Sequence, residues 1–258
     1  DVGDLSEVLL ETDVVSYIKK MVMSDPVSFW DIVNRAMTAN GVPDRDQRYL
    51  KDWAELHIGP DQDVSQAEDN EQAGLARAVF DGIMIMRAHA TSEENKVNGW
   101  GVPPAGFGRS GVHGNFYIRG AIQSMRGIVA NDAEEAMYMA RDTDQSGDSI
   151  TSEHTYELHF PPGQTPPARY FWSLTVYDQD ANLMLNDYDR YAISGNSEDL
   201  IYEDDGSLRI LIGGEPPEGM VGNWLPAGES FTRVTLRVYG PEKAMIERTW
   251  KPPQLTRL

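Results

Sequence analysis

The sequence predicts an α+β protein with helices in its first third and an antiparallel β-sandwich in the remainder. Apolar residues recur every three to four positions over the first ninety residues, which is the period of a helix. A segment rich in glycine and proline follows. From about residue 133, apolar residues alternate in short runs that are separated by turn residues. With 258 residues, 40% of them apolar, the chain is long enough to bury a core of this kind.

The helical part, residues 1–95, has its clearest signal in "SDPVSFWDIVNRAMTANG". Asp25 is a candidate cap, Pro26 suits the first helical position, and Gly41 follows the last apolar residue. Weaker helical periods occur in "LSEVLLETDVVSYIKKMVM", "DRDQRYLKDWAELHIG" and "QAEDNEQAGLARAVFDGIMIMRAHA". We therefore predict four helices in this part.

Residues 96–115 are predicted to form a linker loop, because six glycines and two prolines within "KVNGWGVPPAGFGRSGVHGN" exclude regular structure. The stretch "GFGRSG", Gly106 to Gly111, formally matches a dinucleotide-binding fingerprint. That fingerprint requires a strand before it and a helix directly after it, so that the helix N-terminus meets a pyrophosphate. A Pro-Pro loop precedes it here, which disfavours a dinucleotide cofactor.

The remaining part, residues 116–258, is predicted to begin with an entry helix, "FYIRGAIQSMRGIVA", and to continue as strands. The strand signals are "EHTYELHF", "RYFWSLTVYD", "SLRILIGG" and "FTRVTLRVYG". In the last of these, one face carries Val234, Leu236 and Val238. The other face carries Arg233, Thr235, Arg237 and Tyr239. Several short strands in series with long connections predict an antiparallel sandwich.

The acidic stretch "DTDQSGDSITSE", Asp142 to Glu153, fits the spacing of a calcium-binding loop. A calcium hand needs a helix on each side of its loop, whereas this stretch runs into an alternating strand. We therefore favour a hairpin in which "AMYMARD" and "SITSEHTYELHF" pair across a turn at Gly147. Calcium binding by the clustered carboxylates remains the alternative.

Charge and composition restrict the possible partners. The formal net charge is -19, and a field of this sign repels phosphate backbones, so nucleic acid and anionic membrane surfaces are disfavoured. The absence of cysteine excludes disulfides, thiolate metal sites and a cysteine nucleophile. No apolar run reaches the roughly 20 residues that a membrane-spanning helix needs. Homo-oligomerisation stays open.

The localisation expected from the sequence is periplasmic or secreted, with a cytoplasmic location still open. The chain begins at Asp1 without a methionine, which fits a mature form whose leader has been removed. Trimming of the sequence would explain that beginning equally well.

The second half of the chain resembles domain of unknown function family 1214, which is often fused behind a sister domain numbered 1254. The resemblance rests on "FYIRGAIQSMRGIVANDAEEAMY", "YELHFPPGQTPPARYFWSLTVYD", "DDGSLRILIGG", "NWLPAG", "RVTLRVYGPE" and "TWKPPQLTRL", in this order between Trp100 and Leu258. It implies a jelly-roll-like β-sandwich with accessory helices. It implies no established reaction and no known catalytic residue. Because no sister domain is recognised, we expect a short, stand-alone member.

Known catalytic patterns are missing from the sequence. It contains no His-Glu-x-x-His, no Gly-x-Ser-x-Gly elbow and no phosphate loop. The five histidines show no metal-ligand spacing, so a zinc or cupin-type centre is disfavoured and no cofactor is predicted. The histidines are His57, His89, His113, His154 and His159.

Large polar and aromatic residues at positions that match the family are the candidate ligand-binding residues. They are Arg119, Tyr138, Trp172, Tyr177, Arg190, Asn223, Trp224 and Arg237. Arginine beside aromatic rings on a sheet face suits a carboxylate, a sulfate or a sugar, through paired hydrogen bonds and ring stacking.

The arginines and tryptophans among the candidates also have a structural interpretation, which we favour. Arg119 and Arg237 would then pair with acids such as Asp142 or Asp178 and lock the helix to the sheet, and the tryptophans would be core or corner residues. In "YDQDANLMLNDYDR", a general acid/base pair could be drawn from four carboxylates, although a solvated acidic loop is the commoner meaning. These carboxylates are Asp178, Asp180, Asp187 and Asp189.

Two functions of different classes follow from these features. The first is a cell-envelope or secreted protein that binds, or hydrolyses, a polar glycoconjugate or small organic ligand. The second is a non-catalytic structural or protein-interaction module. An open pocket lined by arginine, tryptophan and acid would favour the first, and an exposed apolar helical face in residues 1–95 would favour the second.

Overall fold

A computed structural model describes residues 22–90, 95–104, 119–120, 123 and 131–258. The chain divides into two compact units, Asp1–Ile85 and Met86–Leu258. No helix in the described ranges is long and apolar enough to cross a membrane.

The described helices of the first unit are α1 (Ser28–Asn40), α2 (Gln47–Ala54) and α3 (Asp69–Ala90), the last of which runs on into the second unit. A short 3₁₀ turn, Val64–Gln66, precedes α3. These three helices agree with the predicted periods, and Gly41, with a φ of 73°, follows the end of α1 as expected. The predicted helix before Val22 lies outside the described residues, apart from a helical turn at residues 22–24.

A buried asparagine organises the centre of the helical unit. Asn34 of α1 donates from Nδ2 to the carbonyls of His57 (2.9 Å) and Gln62 (3.1 Å), and its Oδ1 accepts from the amide of Gly59 at 2.9 Å. These bonds hold the loop between α2 and the 3₁₀ turn against α1. An apolar cluster around Ile58, Val64 and Leu75 lies beside them.

The described part of the second unit contains ten strands and a four-residue helix, besides the end of α3 and the helical positions 119, 120 and 123. The strands are β1 (Lys96–Val97), β2 (Trp100–Gly101), β3 (Ala136–Arg141), β4 (Tyr156–Phe160), β5 (Ala168–Asp178), β6 (Ala192–Ser194), β7 (Leu208–Ile212), β8 (Trp224–Leu225), β9 (Phe231–Pro241) and β10 (Leu255–Arg257). The helix is α4, Lys243–Ile246, and a 3₁₀ turn, Val221–Asn223, precedes β8.

The strands form two sheets, in the orders β1-β2-β3-β9-β5-β6 and β10-β4-β7-β8. Every neighbouring pair is antiparallel except β7 and β8. The predicted α+β class with a predominantly antiparallel sheet region is therefore confirmed. The two-residue strand β8 was not predicted, because it is too short to show a period.

The core lies between the two sheets. Alternate residues of β9, namely Val234, Leu236 and Val238, are fully buried in it, which confirms the predicted phase of that strand. Aromatic rings meet across the sheets: Phe160 lies 5.8 Å from Trp172, and Tyr156 lies 6.0 Å from Phe231, measured between ring centroids. Burial of these alternating side chains is what fixes the register of each strand.

The predicted hairpin between β3 and β4 is wrong, although the turn inside it is confirmed. Gly147 has a φ of 90° and donates to the carbonyl of Asp144 at 3.2 Å, as a tight turn requires. Only the bridge between Thr143 and Ser149 continues the pairing. Beyond it the two strands enter different sheets, because β3 pairs with β2 and β9 whereas β4 pairs with β7 and β10.

Two further predictions fall largely or wholly outside the described residues. In the entry helix, positions 119, 120 and 123 are helical, and the rest of the segment is not described. The glycine-rich match at 106–111 also lies outside the described residues. Parts of the predicted linker loop form β1 and β2.

Candidate functional site

The outer face of the six-stranded sheet brings together three of the candidate residues, Tyr138, Tyr177 and Arg237. We define the outer face as the side of β3, β9 and β5 that points away from the core. Cross-strand register places Tyr138 opposite Arg237, and Arg237 opposite Ser173. One row further, Thr235 lies opposite Thr175, and the next row pairs Arg233 with Tyr177. The remaining members are Ala136, Ala140, Tyr239 and Phe171.

Arg237 lies near the centre of the outer face, between two tyrosines. Its Nη2 donates to the hydroxyl of Tyr177 at 2.5 Å. Its guanidinium carbon is 5.3 Å from the ring centroid of Tyr177 and 5.7 Å from that of Tyr138, within the range of cation–π attraction. Thr235 and Thr175, in the row between Arg237 and Tyr177, are only 9% and 6% exposed.

An aromatic row continues from Arg237 toward the far end of the face. Tyr138 and Tyr239 meet edge to face at 6.1 Å, and Tyr239 stacks on Phe171 at 4.5 Å. The hydroxyl of Tyr138 accepts a hydrogen bond from Asn131 Nδ2 at 3.4 Å. Burial is the main reason that the pKa of Tyr138 is raised, and the neighbouring Tyr239 raises it further. The positive charge of Arg237 lowers this pKa but does not cancel the shift. The phenol therefore stays protonated at neutral pH and can serve as a hydrogen-bond donor.

Arg237 forms no ion pair with a carboxylate of the described chain. The expected pairing with Asp142 or Asp178 is therefore wrong. Asp178 is occupied by its own turn, where Oδ1 accepts from the amides of Asp180 (2.9 Å) and Asn182 (2.8 Å). The hydrogen bond from the Asn182 backbone is the main reason that the pKa of Asp178 is lowered.

Trp172 lies on the opposite side of the sheet from Arg237. It is buried in the core against Phe160, and a Cβ added to Gly195 would stand only 2.6 Å from its indole nitrogen. Trp172 therefore occupies a core position, as its structural interpretation expects. Arg119 lies in the described helical turn at residues 119–120 and is partly buried.

Three candidates gather at a second place, around the 3₁₀ turn before β8. Arg190 donates from Nη2 to Asp199 Oδ2 (2.9 Å) and to the carbonyl of Gly222 (2.7 Å). Asn223 is fully buried, and its side chain makes three hydrogen bonds to backbone groups of residues 201 and 209.

Trp224 donates to the carbonyl of Gly213 at 2.9 Å and meets the ring of Tyr188 edge to face at 4.9 Å. All the polar side-chain atoms of Asn223 and Trp224 are thus used inside the protein. The bonds of Asn223 and Trp224, with the Arg190 ion pair, hold loops in place, so this second group does not present a ligand site comparable with the outer face.

The residue that sequence reasoning missed is Arg141, at the end of β3. It is 4% exposed and donates to the carbonyls of Thr143 (2.5 Å), Asn98 (2.9 Å) and Asp144 (2.6 Å) and to Gln254 Oε1 (2.7 Å). Burial lowers the pKa of Arg141, and nearby Asp144 opposes the shift. A signal was present, because Arg141 shares the alternation phase of the core residues Met137 and Met139.

The acidic loop Asp142 to Glu153 is arranged as a turn. Asp144 Oδ1 accepts from the amides of Ser146 (2.8 Å) and Asp148 (3.2 Å), and its Oδ2 lies 3.5 Å from Arg257 Nε. Among the described residues, no group of three histidine, aspartate or glutamate side chains is arranged to hold a metal ion. His57, His154 and His159 belong to the described residues, whereas His113 and the side chain of His89 do not. None of the described loop acids belongs to such a group either; they are Asp178, Asp180, Asp187 and Asp189.

Comparison with known proteins finds a family match for part of the second unit. Residues 135–243 match the family described as "Protein of unknown function (DUF1214)", which confirms the resemblance for that segment. No curated protein matches the chain.

The solved structures that match the chain include one from Vibrio parahaemolyticus and one from Burkholderia cenocepacia. The VPA0106 protein from Vibrio parahaemolyticus is 20% identical over 83% of this chain and 51% of its own, with a TM-score of 0.57. A putative uncharacterized protein from Burkholderia cenocepacia is 14% identical over 93% of this chain and 51% of its own, with a TM-score of 0.37. The chain thus spans about half the length of both proteins, and the first similarity indicates a shared fold alone.

Proposed function

We propose that the second unit binds a polar glycoconjugate or a small organic ligand on its outer face, with Arg237 as the anchor. The observation that carries the proposal is a guanidinium group that has no carboxylate partner in the described chain. Arginine keeps its charge at neutral pH and has five N–H donors, of which one is used by Tyr177. The others bind no acceptor of the described residues, and in this proposal they bind an acceptor on the ligand.

The surroundings of Arg237 suit a ligand that has both an acceptor and a ring. A guanidinium matches a carboxylate or a sulfate through two parallel hydrogen bonds. The rings of Tyr138 and Tyr177 flank it, and the stacked pair of Phe171 and Tyr239 extends the platform. Sugar rings and aromatic rings stack on such surfaces, while a protonated tyrosine hydroxyl can donate a hydrogen bond.

Binding is better supported than hydrolysis. Hydrolysis of a glycoside uses two carboxylates that flank the bond to be cleaved. The outer-face positions of β3, β9 and β5 carry no aspartate or glutamate. A jelly-roll-like connectivity belongs to the proposal too, with the family resemblance as its support, and so does the expected envelope or secreted location.

Calorimetric titration with glucuronate, glucose and sodium sulfate tests the proposal. We expect glucuronate to bind and Arg237→Gln to weaken its binding at least ten-fold, because the substitution removes the charged donor. The matched control is Arg209→Gln, since Arg209 lies on the other sheet and pairs with Glu157 (3.3 Å) and Glu203 (3.1 Å). Binding that survives Arg237→Gln unchanged, or no binding of any of the three compounds at millimolar concentration, would refute the proposal.

A second candidate function is self-association through the helical unit. Helix α3 exposes Met84 (62%), Ile85 (60%) and Phe80 (36%), which is the apolar helical face that favours an interaction module. We expect a second copy of the chain to cover this face. Sedimentation equilibrium should then show a dimer that the double variant Met84→Ser and Ile85→Ser dissociates. A parent protein that stays monomeric at millimolar concentration would exclude this candidate.

A further inference from the structure

Strand β9 carries two arginines on the outer face, Arg233 and Arg237. Side chains four positions apart on a strand point to the same side, and their backbone positions are about 13 Å apart at 3.3 Å per residue. Arg233 lies opposite Tyr177 in the register, and Tyr177 is also the hydrogen-bond partner of Arg237. The side chain of Arg237 thus leans along the strand toward the row of Arg233.

Neither arginine is neutralised within the described chain. Arg233 and Arg237 are both partly exposed, and no carboxylate of the described residues pairs with either. By contrast, Arg209 of β7 has two acidic partners.

The outer-face positions of the three strands around the two arginines carry no acidic side chain. The outer-face positions of β3, β9 and β5 hold tyrosine, phenylalanine, threonine, serine and alanine besides the arginines. The acids elsewhere on the chain act through solvent, where salt screens charges over about 8 Å at physiological ionic strength. The outer face can therefore attract an anion locally even though the whole chain is negative.

Resting on the proposed function, we infer that the ligand is an acidic oligosaccharide that lies along β9, with one anionic group on Arg237 and another on Arg233. A ligand with one charge would leave the second arginine without a partner. Tyr177 lies opposite Arg233 in the register, its ring centroid is 5.3 Å from the guanidinium carbon of Arg237, and the ring suits the apolar side of a sugar ring. A nucleic-acid strand has two anions in reach as well, but two arginines replace few of its counterions and the net charge of -19 opposes it.

Calorimetry with the whole chain and tetragalacturonate as the probe tests the inference. We expect the affinity for tetragalacturonate to fall at least ten-fold in Arg233→Gln and at least ten-fold in Arg237→Gln, while Arg209→Gln leaves it unchanged. Methyl-esterified tetragalacturonate, which has the same sugar rings without the charges, should bind at least ten-fold more weakly to the parent. The monosaccharide galacturonate has one carboxylate, so Arg237→Gln should weaken its binding and Arg233→Gln should not.

The failure of this inference and that of the proposed function give different results. If Arg237→Gln weakens tetragalacturonate binding but Arg233→Gln does not, the two-arginine ligand is wrong and the proposed function stands. If the esterified probe binds as tightly as the acid, the acidic class is wrong. If a single-stranded oligonucleotide of four nucleotides binds more tightly than tetragalacturonate, the ligand is a nucleic acid. If no sugar binds to the parent at millimolar concentration, both proposals fail. Melting curves of the two variants within a few degrees of the parent exclude loss of fold as the cause.

Discussion

Two arginines on neighbouring strands of one sheet have opposite surroundings. Arg141 ends β3 on the core side, and its guanidinium donates four hydrogen bonds to three backbone carbonyls and one side-chain amide oxygen. Arg237 lies on β9 on the outer side and donates one hydrogen bond, to a phenol. A buried guanidinium must be fully partnered by the protein, whereas one at a surface can keep donors for a ligand. The comparison therefore separates an arginine that holds the fold together from one that is available for binding.

The environment of Arg141 explains why it has a structural role. Its four acceptors come from three separate segments: the β1–β2 turn, the loop after β3 and the segment before β10. Asn98 Nδ2 also donates to the carbonyl of Pro252 at 2.7 Å, and Trp100 Nε1 donates to that of Pro253 at 2.8 Å. One side chain thus joins parts of the chain that local sequence cannot bring together.

The largest effect that we predict is that of Arg141→Met. The substitution keeps a long side chain but removes the guanidinium donor from the carbonyls of residues 98 and 143 and from Gln254 Oε1, while the carbonyl of residue 144 keeps the amide of Gly147. We expect the free energy of unfolding to fall by about 3–5 kcal/mol, as for other broken buried charge networks. Urea unfolding followed by tryptophan fluorescence measures it. A loss below about 1 kcal/mol would show that water replaces the guanidinium easily.

A smaller loss is predicted for Gly99→Ala, next to Arg141. Gly99 has a φ of 83°, and a Cβ added there would stand 2.8 Å from Arg141 Nη1. Gly147→Ala is the matched control, because Gly147 has a φ of 90° but nothing within 4 Å of its added Cβ. Both variants carry backbone strain of about 1–2 kcal/mol, and Gly99→Ala should lose about 1–3 kcal/mol more through the clash. Equal losses would mean that Arg141 moves aside freely.

Arg237→Lys should have a smaller effect on stability than either of these changes. The lysine keeps the charge, and the described chain loses one hydrogen bond at a partly exposed site, so we expect a change of about 1 kcal/mol or less. Ligand binding should fall at least ten-fold, because an ammonium group cannot make paired hydrogen bonds to a carboxylate. The sequence alone had favoured a structural role for Arg237, and a large drop in melting temperature in this variant would restore it.

The positions and partners of Arg141 and Arg237 show what the sequence could and could not predict. Alternation along β9 predicted which side Arg237 occupies, and the same alternation in "AMYMAR" places Arg141 on the core side. The partners of Arg141 could not be predicted, since Asn98 and Gln254 are 43 and 113 positions away. The wrong hairpin has the same origin: turn chemistry is local and visible, whereas the pairing of β3 with β9 depends on the shared core.

The smallest predicted effect concerns calcium and the acidic loop beside Arg141. Asp144 already accepts two backbone amides through Oδ1 and lies near Arg257 through Oδ2, so the loop is stable as a turn without a cation. Calcium would also need to displace Arg257 from Asp144 and Asp148, whose Oδ2 atoms both lie 3.5 Å from the guanidinium. A ligand present at one hundred times its dissociation constant stabilises a protein by about 2.7 kcal/mol, which a melting curve detects easily.

We therefore expect no rise in melting temperature with millimolar calcium, in the parent or in Asp142→Ala, with magnesium as the control for ionic strength. A rise that calcium causes, that magnesium does not cause and that Asp142→Ala abolishes would show a cation site here. The end of β3 would then be held by a metal ion as well as by the guanidinium of Arg141. Without such a rise, the hydrogen bonds to Arg141 and the turn around Asp144 suffice to hold the end of β3 in place.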